Sequence, residues 1–279
     1  DTVLLDGALD IPGPVSFDAE VLVDIDAAIG GGTTAPASVT VDGTTELGAD
    51  VKADGAITFQ DSVELTDADR TLTSNDGDVS FAGAVTSEAG NRALTVSALS
   101  GNIAVQDLGQ GGIALGAVDL DADTADFNGT DIDSASIDTT GVGLTTLNVD
   151  VSIDTTGLIT LGDLIGAHQL TLTSVGADVE LRDAAIQALI IDDADSVDFN
   201  GNFDTTGSVT LSGITELTTI AAAGSIDAGG KVLIDTVANI TISGTIEADD
   251  DIALTNGAGN TIVIDAAITG ATVDVTSGT

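Results

Sequence analysis

The feature that most constrains this chain is a strand-like unit that returns at a nearly fixed interval. The unit is an apolar–x–apolar triplet followed by a small or polar pair, as in Ile57-Thr58-Phe59-Gln60-Asp61, Val79-Ser80-Phe81-Ala82-Gly83 and Ile103-Ala104-Val105-Gln106-Asp107. It comes back at Ala125-Asp126-Phe127-Asn128-Gly129, Ile159 to Asp163, Val179 to Asp183, Val197 to Gly201, Val209 to Gly213 and Ile240 to Gly244. The first starts lie 22, 24 and 22 residues apart (Ile57, Val79, Ile103, Ala125), and later ones 20 and 18 (Ile159, Val179, Val197). A second, Leu-Thr-like unit recurs between them at Arg70-Thr71-Leu72-Thr73, Arg92 to Val96, Gln169 to Leu172 and Ile252 to Thr255. Alternation at period two in Val, Ile, Leu, Phe and Thr, closed by Gly, Asn, Asp or Ser, predicts short strands. The best helical stretch, Arg182 to Ala188, runs straight into the strand-like Leu189-Ile190-Ile191.

A period near 20 with two strand flavours predicts a coil of parallel strands, in which no turn buries its apolar residues alone and stacked turns share a thin core. A sandwich of hairpins would place Asn-Gly or Asp-Gly turns at every connection. Such turns stand only at some, as at Asp76-Gly77, Asn128-Gly129 and Asn200-Gly201. The expected fold is therefore all-β: a single-stranded parallel β-helix, or β-solenoid, of about 20–24 residues per turn. Roughly 13 turns at roughly 4.8 Å each would make a rod about 60 Å long. Residues 39–279 read as one continuous solenoid. Residues 1–38 read as an irregular lead-in or junction, because Pro12, Pro14, Pro36 and Gly30-Gly31-Gly32 all fall there.

Composition sets the character of that core and surface. Hydrophobic residues make up 43% of the 279, which separates the chain from disordered acidic sequences. Aromatics are only 2%, so the core is narrow and aliphatic. The formal charge of -41, carried by 39 Asp and seven Glu against five Lys plus Arg, excludes nucleic acid and anionic lipid as partners. No cysteine means no disulfide and no thiolate chemistry, and one histidine leaves little for imidazole catalysis. No apolar run reaches 18 residues, so no helical membrane insertion is expected. The absence of Met and of a signal-peptide pattern, with strand pattern still running at Val273 to Thr279, suggests a processed product or a segment of something longer.

Three Asp groups are the candidate cation sites: Asp119, Asp121, Asp123, Asp126, Asp131 and Asp133; Asp192, Asp193, Asp195 and Asp198; and Asp249, Asp250 and Asp251. Clustered carboxylates in turns supply the oxygen ligands that calcium takes. Like charges about 4.8 Å apart on adjacent turns repel by about 0.9 kcal/mol even in water, which cations or salt would relieve. The opposing reading is a solvated acidic surface, and neither the EF-hand loop nor the Gly-Gly-x-Gly-x-Asp calcium repeat is present. Beyond calcium no cofactor is expected. Paired carboxylates can hydrolyse glycosides, but no Trp or Tyr is present to stack a sugar. Thr-x-Thr pairs such as Thr71-Leu72-Thr73 fit an ice-binding row or simply good strand formers. His168 reads as a turn or surface residue, Gly229-Gly230-Lys231 lacks the rest of a phosphate loop, and the six Phe read as core or end-capping residues.

The Phe-Asn-Gly and Ala-Leu-Thr-Val units, with Thr155-Thr156-Gly157, Leu47-Gly48-Ala49-Asp50 and Thr205 to Leu211 as links, resemble repeats of filamentous-haemagglutinin-like and autotransporter-like bacterial surface adhesins. The resemblance covers roughly residues 39 to 279 and lacks that family's N-terminal secretion motif. It implies a right-handed coil that is secreted and displayed at the cell surface or in the matrix. The expected function is an extracellular structural or adhesive segment of a large surface protein, without catalysis. Its partners would be neighbouring copies or modules of the same protein, or host or matrix glycans. The rival expectation is a self-assembling fibre or sheath subunit that polymerises end to end, with or without cations.

Overall fold

The computed structural model describes residues 1–88, 91–110 and 114–278. Every described strand pairing within each unit is parallel, and no α-helix occurs among the described residues. The fold is an all-β solenoid, as the repeat spacing predicts. The coil divides into two compact units, Asp1–Thr146 and Leu147–Thr279.

In the first unit each turn visits three strand stacks in the same order. One stack holds Thr2–Leu5, Leu22–Ile25, Thr45–Leu47, Val63–Leu65 and Val85–Ser87. The next holds Val51–Ala53, Arg70–Ser74 and the opening halves of Leu94–Val105 and Leu115–Phe127, with Leu9 bridged to Ile29 and Ile29 to Val51. The third holds Val15–Asp18, Val39–Asp42, Ile57–Phe59, Val79–Phe81 and the closing halves of those two long strands. In the second unit, Val151–Thr155, Gln169–Ser174, Val232–Thr236, Ile252–Asn256 and Val273–Ser277 belong to one stack. Ile159–Leu161 leads a second and Leu164–Ile165 a third.

The spacing read from sequence is the register. Ile57, Val79, Ile103 and Ala125 are successive ladder partners, as are Ile159, Val179 and Val197. Residues 1–38, expected as an irregular lead-in, instead contain Thr2–Leu5, Val15–Asp18 and Leu22–Ile25, all paired to the following turns. The prolines lie outside those strands, where a missing N–H costs no ladder bond. The helical stretch at Arg182–Ala188 holds the strand Ala184–Ile186, fixed by pairing to Leu164–Ile165 and Asn202–Thr205.

Alternation puts every second side chain inside. Phe59, Phe81, Phe127, Phe199 and Phe203 are buried, with Phe59 and Phe81 stacked at 5.4 Å and 5°. Phe199 and Phe203 meet edge to face at 5.4 Å and 87°. Each such burial contributes about 1.5–3 kcal/mol. Where strands end, buried hydroxyls bond the corner carbonyls. Thr155 Oγ1 and Ser174 Oγ both donate to Gly157 O, at 2.6 and 2.9 Å, and Thr205 Oγ1 donates to Gly207 O at 3.0 Å. The Thr-Thr-Gly links are thus corners closed by their own first side chain.

Candidate functional site

The surface chemistry is that of Asp, and register decides what each carboxylate does. The residue just before a strand is repeatedly Asp, and its Oδ1 accepts the backbone N–H of its own register partner one turn later. Asp78 takes Asn102 N–H at 2.8 Å, Asp50 takes Thr71 at 2.9 Å and Asp69 takes Ala93 at 2.9 Å. Asp107 takes both Thr130 at 2.7 Å and Asp131 at 3.1 Å. In the second unit Asp150 takes Gln169 at 2.9 Å and Asp183 takes Asn202 at 2.6 Å. Asn239 and Ser208 do the same for Thr261 and Lys231. The carbonyls of Asp50, Asp78, Asp107 and Asp183 meanwhile accept N–H bonds from the turn before. One residue therefore ties three successive turns. Glu would reach a methylene too far, which accounts for the preference for Asp. Gly129 and Gly201 make room for it: a Cβ there would lie within 2.3 Å of Asp107 N and 2.4 Å of Asp183 Oδ1.

On the strand faces the same chemistry opposes itself. Asp24, Glu46 and Glu64 are successive outward register partners in the first unit. Asp204, Asp227 and Glu247 form the matching column in the second. Asp24 is pushed above its ordinary value, first by partial burial and then by the charges of Asp26 and Glu46. Asp119 is raised too, first by burial and then by Asp138 and Asp121.

The candidate cation residues of the sequence are distributed as follows. Asp119, Asp121 and Asp123 project outward from Leu115–Phe127, with Thr95 and Ser97 as the partners of the first two. Asn102 Nδ2 donates to Asp126 Oδ2 at 2.9 Å. Asp131 and Asp133 flank Ile132, their backbone bonded to Leu108. Asp192 accepts Ser212 Oγ at 3.0 Å, and Asp195 accepts Thr215 Oγ1 at 2.9 Å. Asp193 has a positive φ of 89°, just ahead of the register shift between Ala194 and Ser196, and Asp198 partners Glu180 and Thr219. Asp249 and Asp250 line a corner through their backbone, while Asp251 accepts Thr272 Oγ1 at 2.6 Å and lies 3.9 Å from Lys231 Nζ. Asp126, Asp192, Asp195 and Asp251 are thus hydrogen-bonded through their own carboxylates.

Three further features matter. Arg70 is 8% exposed, and its guanidinium donates to the carbonyls of Leu47, Thr66 and Asp69 at 3.0, 2.6 and 3.2 Å. His168 Nδ1 lies 3.4 Å from Asp150 Oδ1, over a corner carboxylate, as suits its reading as a turn residue. The Thr71–Thr95 row ends at Asp119, so it forms no long hydroxyl array there. No protein family, curated protein or solved structure matches the chain.

Proposed function

We propose that the chain is an extracellular structural or adhesive β-solenoid segment of a large bacterial surface or matrix protein, and that it performs no catalysis. The observation that supports this reading most is the deployment of Asp: the corner carboxylates serve the coil itself, holding turn to turn through backbone N–H groups. A surface spent on self-support and charge suits a spacer or display scaffold. Calcium at the Asp groups is the cation-dependent form of the same proposal.

The test is display of the chain on an inert cell or bead. Adhesion to glycan-coated surfaces, with electron microscopy showing single particles, is the expected result. Filaments formed by the purified chain alone would point instead to a self-assembling fibre. A melting temperature that responds to calcium no more than to sodium at equal ionic strength would remove the calcium element.

A further inference from the structure

One corner of the first unit departs from the tight links found elsewhere. Between Gly30 and Ala37 the chain leaves the coil and returns, and beside it opens a cleft of about 340 Å³. The loop is anchored at both ends. Gly30 N–H donates to Leu9 O at 2.8 Å, Ala37 N–H to Gly13 O at 3.2 Å, and Asp54 N–H to Pro36 O at 2.7 Å. Gly30 has φ 67°, and a Cβ there would lie 2.2 Å from the Lys52 carbonyl oxygen, so this entry to the loop admits only glycine.

The cleft is lined by Lys52, Asp54 and Asn75 from the coil and by Thr33 and Thr34 from the loop. Asn75 Nδ2 donates to Asp54 Oδ1 at 2.9 Å, which leaves Asp54 Oδ2 and Asn75 Oδ1 for a ligand. Lys52 is exposed and, among the described residues, has no carboxylate within 4.0 Å, although the chain carries 46 acids. The protein's other lysine, Lys231, is ion-paired. The cleft therefore offers one uncommitted cation, a carboxylate, an amide and two hydroxyls, with no aromatic wall. Its size falls at the lower end of small-ligand sites.

We propose that this cleft binds an acidic sugar, with the sugar's carboxylate on Lys52 and its hydroxyls shared among Asp54, Asn75, Thr33 and Thr34. This deepens the adhesive reading above and rests on it. Hydroxyl-rich ligands match the alternation of donors and acceptors, and the ammonium selects an anion among them. Asp10, whose Oδ1 accepts Gly32 N–H at 2.8 Å, sets a second carboxylate against the loop. Charges beyond about 8 Å are screened at physiological salt, so the ammonium competes with Asp10 and Asp54 rather than with the whole acidic surface. Without an aromatic platform the affinity is weak, with Kd on the order of 1 mM.

The test is titration of the isotope-labelled chain with sodium glucuronate, glucose and sodium acetate, followed by amide NMR. Saturable shifts confined to residues near 30–37, 52–55 and 75 are expected with glucuronate. Glucose, which lacks the carboxylate, should bind more weakly by up to about fivefold, the scale of an exposed ion pair, and acetate, which lacks the hydroxyls, should also bind more weakly than glucuronate. Lys52→Gln should reduce glucuronate binding to the glucose level, with circular dichroism unchanged, while Lys231→Gln leaves it intact. Diffuse or absent shifts, glucose binding equal to glucuronate, or an unaffected Lys52→Gln would each overturn the assignment. Adhesion to an acidic polysaccharide surface that survives Lys52→Gln would sink the cleft and leave the adhesive reading standing. Glucuronate binding in solution without any surface adhesion would do the reverse.

Discussion

The row of carboxylates at the corners of the first unit and the column on its outer face contain the same functional group, yet they act in opposite senses. At the corners, Asp50, Asp69, Asp78 and Asp107 each meet a backbone N–H of the next turn. On the face, Asp24, Glu46 and Glu64 meet one another. In a parallel coil each side chain is stacked on its counterpart about 4.8 Å away. What a charge contributes is therefore decided by the turn above it and not by its neighbours in sequence.

The most disruptive way to probe the corners is from the donor side. Arg70→Ala removes a buried guanidinium from three corner carbonyls and should lower stability by about 2–3 kcal/mol in denaturant unfolding, with Arg70→Met recovering only the packing share. Asp107→Ala leaves two N–H groups without their acceptor and should cost about 1–2 kcal/mol, while Asp107→Asn, which still accepts, should cost less than half of that. If Asp107→Ala melts like the parent, the corner bonds contribute nothing and the contrast collapses. On the face the sign reverses: Glu46→Gln should stabilise by a few tenths of a kcal/mol in low salt, and the gain should fade as salt is added.

The smallest effect lies in pH. Asp24 has a folded value raised above the ordinary 3.8, so its charged form is tolerated less well in the fold than in the unfolded chain. Its favourable contribution is full below that ordinary value and disappears as pH rises through the raised one. Asp24→Asn should therefore raise the melting temperature near neutral pH and lose that advantage in acid. An advantage that grows on acidification would contradict the assignment.

Much of this architecture is legible in the sequence because a coil repeats its register. The interval between Ile57, Val79 and Ile103 is the ladder itself, and the buried Phe residues follow from alternation. The corners are harder to read. Asp78 acts on Asn102, 24 residues away, and nothing near Asp78 marks it as different from Asp119. Local Asp density therefore marks Asp119 to Asp123, where alternation sends acids outward along one strand, and does not mark Asp50, Asp107 and Asp183. The face column of Asp24, Glu46 and Glu64 escapes for the same reason, since its members are spread over three turns. The prolines and glycines of residues 1–38 did mark a departure from regular corners, but it is confined to the loop between Gly30 and Ala37, and the strands around it keep the ladder.

Because each corner Asp needs only a partner one full turn away, the coil has no preferred length. Gain or loss of a whole turn by recombination leaves every such bond with an equivalent mate, whereas an insertion of half a turn strands them all. A whole-turn insertion or deletion would thus change the reach of such a coil without changing its local chemistry.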